Sequence, residues 1–160
     1  MTNRITAQEV YTVMVSPKVL NLTKQQSAAV EGAATDWPSL VVAGAGSGKT
    51  ELMATRVLWL VANGICRPEE ILGLTFTRKA ASELSRRITN ALTVLSKSKL
   101  WPEGLEKDFA QPNITTYNSY ANALYRDYCL TLGFEDDAML LTDASRYQLA
   151  REVVMRYGEE

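Results

Sequence analysis

The sequence predicts an α/β fold in which a parallel sheet is flanked by helices. Short apolar runs alternate with segments of helical periodicity, and the connections between them are short. Strand–helix–strand units of this kind produce parallel strands joined by right-handed crossovers. Because the short strands enclose only a thin core, we expect the sheet to be incomplete and to be finished by further chain.

Composition excludes several classes of protein. The 160 residues are 46% hydrophobic and 22% charged, with a net charge of −1, which is typical of a globular domain. No apolar run approaches the ~20 residues that cross a bilayer, and no leader peptide is recognisable, so we expect a cytoplasmic protein without membrane contact. Histidine is absent, which excludes histidine triads and histidine metal sites. Cys66 and Cys129 are expected as buried thiols.

The first half of the chain contains two predicted helices and a strand. Residues 1–21 show no clear period beyond a short mixed run at Val10–Val15 and are expected to form a lightly structured N-terminal arm. Thr23 and Gln26 have capping-box spacing, which predicts a helix from residue 24 to about 34. A buried strand is predicted at residues 39–43. A helix that is apolar on most sides starts at Lys49 and stops at Gly64.

The second half continues the alternation. A second buried strand is predicted at residues 71–76 and a third at 113–116, with a loop at 96–112. The helix capped by Thr77 has its apolar positions at Ala81, Leu84, Ile88, Ala91 and Leu95. The next helix, at about 118–132, places Ala121, Leu124, Tyr125, Tyr128 and Leu132 on one face. Asp143 is the predicted N-cap of a last helix with Leu149, Ala150, Val153, Val154 and Tyr157 inward.

The strongest functional signal is the run Ala43, Gly44, Ala45, Gly46, Ser47, Gly48, Lys49 and Thr50. A glycine-rich turn lets backbone N–H groups approach phosphate oxygens, and the following helix directs its N-terminal partial charge at them. Lys49 can reach the β- and γ-phosphates, and the Thr50 hydroxyl can bind Mg²⁺. The strict pattern has glycine where Ala43 stands. The alternative is a glycine-rich strand-to-helix turn with an incidental lysine, but the position between a strand and a helix favours nucleotide binding.

Four segments in order, at residues 22–30, 43–50, 74–81 and 116–119, resemble the Q motif and motifs I, Ia and Ib of superfamily 1 DNA helicases of the UvrD/Rep/PcrA type. The resemblance runs from Leu22 to Tyr157. Details after Gly48 and around Tyr117 look most like the actinobacterial AdnAB-type helicase–nuclease subunits. The resemblance implies a P-loop NTPase of RecA-like fold, with residues 22–116 as the first part of domain 1A and 117–160 as the start of the inserted helical domain 1B.

The resemblance also implies a function. Relatives hydrolyse ATP with Mg²⁺, translocate 3′→5′ on single-stranded DNA and unwind duplex DNA in repair and recombination. Their second RecA-like domain would come from the remainder of the same polypeptide, and a helicase–nuclease partner subunit is a further implied partner. In this family Gln26 matches the glutamine that reads adenine, although it could also be only the capping partner of Thr23. Glu51 stands where many relatives carry an arginine that packs on the base, which puts that side of the adenine pocket in doubt.

The DNA-binding residues implied by the resemblance come from motifs Ia and Ib. Phe76, Thr77, Arg78 and Lys79 match motif Ia, where an aromatic ring can stack on a base and cations bind phosphates. Residues 78–99 carry a local net charge of +5. The alternatives are that Phe76 is core and that the arginines are a solvated helix face. Tyr117, Asn118 and Ser119 match motif Ib, with Asn118 as a helix cap the alternative.

Hydrolysis needs residues that this sequence does not show. Superfamily 1 enzymes carry an apolar strand ending in Asp-Glu, whereas Glu135, Asp136 and Asp137 follow a turn and are rejected as that motif. We therefore expect an N-terminal fragment of a longer enzyme, inactive in ATP hydrolysis and unwinding by itself. The alternative function is a standalone P-loop nucleotide-binding regulatory module without helicase activity. A small-molecule kinase would need an arginine-rich lid and a complete sheet, neither of which is visible.

Overall fold

The computed structural model describes residues 4–15, 21–32, 39–44, 46–135, 138 and 141–158, and the chain divides into two compact units, Met1–Tyr120 and Ala121–Glu160. Two 3₁₀ turns lie at Pro68–Glu70 and Leu130–Leu132. The helices and strands of the described residues are, in order, α1 (Ala7–Val15), α2 (Lys24–Glu31), α3 (Lys49–Ala62), β1 (Leu72–Thr75), α4 (Arg78–Leu95), β2 (Asn113–Thr116), α5 (Tyr117–Tyr128) and α6 (Asp143–Tyr157).

The strands β1 and β2 pair in parallel, with Leu72 opposite Asn113 and Thr75 opposite Thr116. The helix α4 connects them and packs on both, which makes a βαβ unit. Gly73 lies against Ile114 so closely that an added Cβ would be 2.6 Å from Ile114 Cδ1. The predicted parallel pairing and both of these strands are confirmed, and the first unit is a small fold of mixed helices and strands.

The core of the first unit forms where α1, α2 and α4 pack around α3. Its buried side chains include Leu58, Trp59, Ile88, Leu92 and Leu95. All five apolar positions predicted on α4 are buried, and Thr77 caps that helix as expected, since its side chain accepts a hydrogen bond from the Ala80 N–H. The predicted helix from Lys49 is also confirmed. Periodicity and caps therefore identified the elements that build this core.

The expectation of a lightly structured N-terminal arm is wrong for Ala7–Val15, which is helix α1 with Ala7 and Val10 fully buried. Distant residues hold its start. Ile5 N–H donates to Asn63 Oδ1 at 2.9 Å, and Trp59 Nε1 donates to the Ile5 carbonyl at 2.8 Å. These contacts join residues more than 50 positions apart, so local periodicity carries no trace of them.

The predicted buried strand at residues 39–43 is also not observed. The segment has no regular secondary structure, and Leu40 and Val42 are 88% and 86% exposed. An extended apolar segment becomes a strand only when another strand satisfies its backbone groups. Among the described residues, β1 and β2 pair with each other and leave this segment unpaired.

The second unit contains most of α5 and the whole of α6. Helix α5 and the following 3₁₀ turn match the predicted helix, but Leu124, Tyr128 and Leu132 are exposed rather than gathered on a buried face. The predicted inward residues of α6 are exposed as well: Leu149, Ala150, Val153, Val154 and Tyr157. Its N-cap is Thr142 rather than Asp143, because the Thr142 side chain accepts from Ser145 N–H.

The two thiols are free. Cys129 is buried as expected, whereas Cys66 is partly exposed, and burial raises the pKa of the Cys66 thiol. None of the helices within the described residues combines the length and the apolar character needed to span a bilayer.

Candidate functional site

The glycine-rich segment forms a tight loop directly before α3. Gly46 and Gly48 have φ angles of +75° and +82°, a left-handed conformation that favours glycine. The Ser47 side chain closes the loop on itself, since its hydroxyl donates a hydrogen bond to the Gly44 carbonyl at 2.8 Å. Ala45 lies outside the described residues. The loop therefore reverses direction just before the first residue of the helix.

Lys49 is the first residue of α3, and its side chain returns to the loop. Its Nζ donates to the carbonyl oxygens of Ala43 at 2.9 Å and Gly44 at 2.5 Å. Gly48 is the N-cap and has no side chain to accept from the first-turn N–H groups, so these donors suit an external anion. Thr50 follows as the second helical residue and is exposed. The ammonium and the helix start thus lie together.

A groove of about 310 Å³ joins this loop to the start of α2. Gln26 and Lys49 both line it, together with Ser47, Val42 and Leu52. Gln26 also completes the predicted capping box: its Oε1 accepts from Thr23 N–H at 2.9 Å, and its own N–H donates to Thr23 Oγ1 at 3.2 Å. The capping interpretation of Gln26 is therefore confirmed, and the same residue lies in the groove beside Lys49.

A larger groove of about 500 Å³ lies elsewhere in the first unit, between residues 64–70 and 102–110. Its charged lining is mostly acidic, with the carboxylates Glu69, Glu70, Glu103, Glu106 and Asp108. A triphosphate carries several negative charges, so this groove is electrostatically unsuited to it. The smaller groove at Lys49 is the better candidate for a nucleotide.

Glu51 forms an ion pair with Arg87 of α4 that the sequence did not indicate. The second guanidinium nitrogen of Arg87 lies 3.9 Å from Glu83. Glu51 and Arg87 are 36 residues apart, and no spacing rule connects two positions on different helices. One of the arginines counted in the predicted basic stretch is therefore paired with acids.

The residues of motifs Ia and Ib meet at the carboxyl ends of the paired strands. Because Thr75 lies opposite Thr116, the residues that follow, Phe76 and Tyr117, are brought together, with ring centroids 5.2 Å apart and an interplanar angle of 38°. Phe76 is 90% exposed, so the alternative that it belongs to the core is wrong. The two rings form an open aromatic surface.

The polar residues of these motifs border the rings. Arg78 and Lys79 are exposed in the first turn of α4. Thr116 accepts from Ser119 N–H at 3.1 Å and donates to Ser119 Oγ at 2.8 Å. Thr116 therefore caps α5, and the alternative that Asn118 is the cap is wrong. Asn118 and Ser119 are exposed.

The acidic run after α5 falls largely outside the described residues. Glu135 is exposed, and the structure gives no description of Asp136 and Asp137.

Comparison with known proteins identifies the family. The model of the UvrD/REP helicase N-terminal domain matches residues 22–158. The chain belongs to this family. The predicted resemblance to UvrD/Rep-type helicases is thereby confirmed, and the matched region contains all four motif segments as well as α2 to α6.

Individual relatives agree with the family match. The chain is 29% identical over 134 residues to DNA helicase II of Rickettsia typhi, covering 82% of this chain and 18% of that protein. It is 33% identical over 115 residues to DNA helicase II of Haemophilus influenzae, covering 72% of the chain and 15% of the relative. DNA helicase II of Escherichia coli is 31% identical over 115 residues, covering 72% and 14%. The chain therefore spans less than a fifth of the length of these relatives.

Proposed function

We propose that this chain is the N-terminal ATP-binding portion of an ATP-dependent DNA helicase of the UvrD/Rep type. In the full-length enzyme, ATP hydrolysis would drive 3′→5′ translocation on single-stranded DNA and unwinding of duplex DNA in repair and recombination. The observation that carries the proposal is the position of Lys49. Its ammonium is held against the loop carbonyls at the start of α3, and it shares one groove with Gln26.

The loop residues fit a nucleotide triphosphate with Mg²⁺. Backbone N–H groups of residues 43–48 would surround the phosphates, Lys49 would bind the β- and γ-phosphates, and the Thr50 hydroxyl would bind Mg²⁺. The bound Mg²⁺ would supply charge neutralisation of the phosphate oxygens. Gln26 keeps its amide nitrogen as a donor, and a second carbonyl lone pair, for the adenine edge while it caps α2.

Single-stranded DNA is the proposed ligand of the strand ends. The exposed rings of Phe76 and Tyr117 offer a stacking surface for any base. Arg78 and Lys79 lie in the first turn of α4, where the helix macrodipole makes each cation unfavourable by about 0.3–1 kcal/mol. A bound phosphate group would offset this unfavourable energy, which is why we assign Arg78 and Lys79 to the DNA backbone. Thr77, Asn118 and Ser119 add neutral hydrogen-bonding groups beside them.

The finer assignments rest on the resemblance. We assign residues 22–116 to the first part of RecA-like domain 1A and residues 117–160 to the start of domain 1B, while the preceding helix α1 packs in the core of the first unit. The second RecA-like domain would come from the remainder of the polypeptide. The narrower likeness to AdnAB-type subunits, with a helicase–nuclease partner subunit, stays a prediction, since the relatives compared above are named DNA helicase II.

Nucleotide binding is tested by titrating ATP into the 160-residue chain and a Lys49→Ala variant. We expect the variant to bind ATP at least about tenfold more weakly, a loss of about 1.4 kcal/mol, because a charge-assisted contact to the phosphates is removed. The matched control is Lys99→Ala, which removes another exposed lysine and should leave affinity unchanged. Equal affinity of wild type and Lys49→Ala would contradict the proposal.

The same proteins test the expectation that this chain does not hydrolyse ATP by itself. We expect no turnover above the blank in a phosphate-release assay. Steady turnover that disappears in Lys49→Ala would show that the expectation is wrong, and that the catalytic residues lie within these 160 positions.

DNA binding is tested by the dependence of affinity on salt. Replacing both Arg78 and Lys79 by alanine should make the plot of log association constant against log salt concentration less steep by about 1.4, because each phosphate contact with single-stranded DNA contributes about 0.7 to the slope. Arg67→Ala serves as control, since Arg67 lines the acidic groove. A slope unchanged by the double substitution would remove both residues from the DNA interface.

A further inference from the structure

We propose that Arg87 keeps the phosphate loop receptive to a nucleotide triphosphate by neutralising Glu51, an acidic side chain in the first turn of α3. The inference rests on the proposed function of the loop. Arg87 does not itself contact the nucleotide in this arrangement but acts through Glu51, which makes it a positioning residue for charge rather than a catalytic one.

Glu51 lies close to the phosphate-binding residues along the chain and in space. It follows Thr50 directly, and at 1.5 Å rise per residue its Cα is about 3 Å along the helix axis from that of Lys49. A Cβ added to Gly48 would lie 3.9 Å from Glu51 Cβ. Glu51 therefore belongs to the same helical turn whose N–H groups would face the phosphates, while its carboxylate reaches across to Arg87 of α4.

An unpaired carboxylate at this position would oppose triphosphate binding. Like charges within about 10 Å repel each other, and screening by solvent is reduced for groups that are partly buried. The side chains of Glu51 and Arg87 are 32% and 34% exposed. Repulsion from an uncompensated Glu51 would grow with the charge of the ligand, from adenosine to ADP to ATP.

The structure supplies the compensating charge from a different helix. Arg87 Nη1 contacts Glu51 Oε2, and Arg87 Nη2 lies 3.9 Å from Glu83. The pair lies beside the buried Tyr11 of α1: burial and then the negative charge of Glu51 raise the pKa of the Tyr11 phenol, whereas Arg87 lowers it. Arg87 is thus directed inward, toward the start of α3.

The two partners of the ion pair should therefore have unequal effects on nucleotide binding. Removing Arg87 leaves the negative charge of Glu51 uncompensated in the first turn of α3. Removing the charge of Glu51 leaves Arg87 beside Glu83 and adds no negative charge to that turn. If the pair only fastened α3 to α4, loss of either partner would have the same effect. This asymmetry separates the proposed role from a purely structural one.

The experiment compares ATP, ADP and adenosine affinities for the 160-residue chain, Arg87→Ala, Glu51→Gln and the double variant. We expect Arg87→Ala to bind ATP about fivefold more weakly, with a smaller loss for ADP and none for adenosine. Glu51→Gln should bind ATP at least as tightly as wild type, and the double variant should recover the affinity lost in Arg87→Ala. Arg86→Ala, the neighbouring arginine on the same helix, is the matched control and should have a clearly smaller effect.

Arg87→Lys keeps the inference testable if Arg87→Ala fails to fold. It retains the charge while losing the forked geometry, so ATP affinity should stay near the wild-type value. A loss in Arg87→Lys as large as in Arg87→Ala would overturn the inference, as would equal losses in Arg87→Ala and Glu51→Gln without recovery in the double variant. In those outcomes Lys49→Ala still weakens ATP binding about tenfold or more, whereas an ATP affinity unchanged by Lys49→Ala contradicts the proposed function itself.

Discussion

The helices of the first unit and those of the second differ in what their apolar side chains contact. In the first unit, α3 and α4 bury Leu58, Ile88 and Leu92 completely or almost so. In the second, α6 leaves Val154 and Met155 65% and 73% exposed. The helices α3 and α6 are nearly equal in length, with 14 and 15 residues, so length does not explain the difference in burial.

The difference shows that a helical pattern and burial are separate properties. Helix α3 is covered by α1, α2 and α4, and Arg56 on it also donates to the last carbonyls of α2, including Val30 at 2.7 Å. Local interactions support α6: a Thr142 cap and the exposed pairs Arg146–Asp143 and Arg156–Glu152. Exposed pairs of this kind contribute only about 0.3–0.5 kcal/mol each. Free energy from apolar burial is therefore concentrated in the first unit.

The largest expected effect on stability comes from a buried leucine of α3, which is compared with an exposed leucine of α6. Leu58→Ala should lower the free energy of unfolding by about 3 kcal/mol, because it opens a cavity at a fully buried position. Leu149→Ala, on the half-exposed surface of α6, should cost less than about 1 kcal/mol. Urea unfolding followed by circular dichroism measures both. Similar losses for the two variants would mean that α6 is buried as deeply as α3, and the comparison would fail.

Asn63→Ala should cause a smaller loss of unfolding free energy, and this variant tests how α1 is attached to α3. Asn63 accepts from Ile5 N–H and donates to the Ile5 carbonyl at 3.1 Å. Loss of these bonds should cost about 1–2 kcal/mol, because the Ile5 N–H is left unpaired and the Ile5 carbonyl keeps only its bond from Trp59. Amide hydrogen exchange in Ala7–Val15 should accelerate.

The control for this prediction is Asn90→Ala, which removes the same side chain from an exposed position of α4. It should leave exchange in α1 unchanged. If Asn63→Ala also left the exchange unchanged, the docking of α1 would not depend on this contact.

The sequence was sufficient to predict helix caps and the buried faces of helices in the first unit, and the alternation of strands and helices was sufficient to predict parallel pairing. The Thr23 and Thr77 caps, the apolar positions of α4 and the parallel pairing of β1 with β2 were all predicted and observed. Caps and helical periods involve residues three or four positions apart, so they are visible in the sequence. The order of the motifs was equally visible and led to the family.

Side-chain contacts between distant residues could not be predicted. Helix α1 depends on Asn63 and Trp59, and Glu51 depends on Arg87 of another helix. The sequence also left open whether Phe76 was core or exposed. The structure decides it, because the Phe76 ring is 90% exposed and its neighbour is Tyr117 on the next strand end. An apolar run predicts burial only when a covering element exists, which explains the exposed segment at 39–43.

The smallest expected effect concerns the start of α6, where two neighbouring residues could each be the cap. Thr142 Oγ1 accepts from Ser145 N–H at 3.2 Å, whereas Asp143 is the first helical residue and acts only through the helix macrodipole and its 3.8 Å pair with Arg146. Thr142→Ala should therefore destabilise α6 by about 1 kcal/mol, and Asp143→Ala by clearly less, because the Asp143 side chain is fully exposed. Amide exchange of the first turn of α6 measures both losses. Because α6 depends on such local interactions, loss of the cap should accelerate exchange in this helix while exchange in α3 stays unchanged, and the reverse order of the two variants would restore Asp143 as the cap.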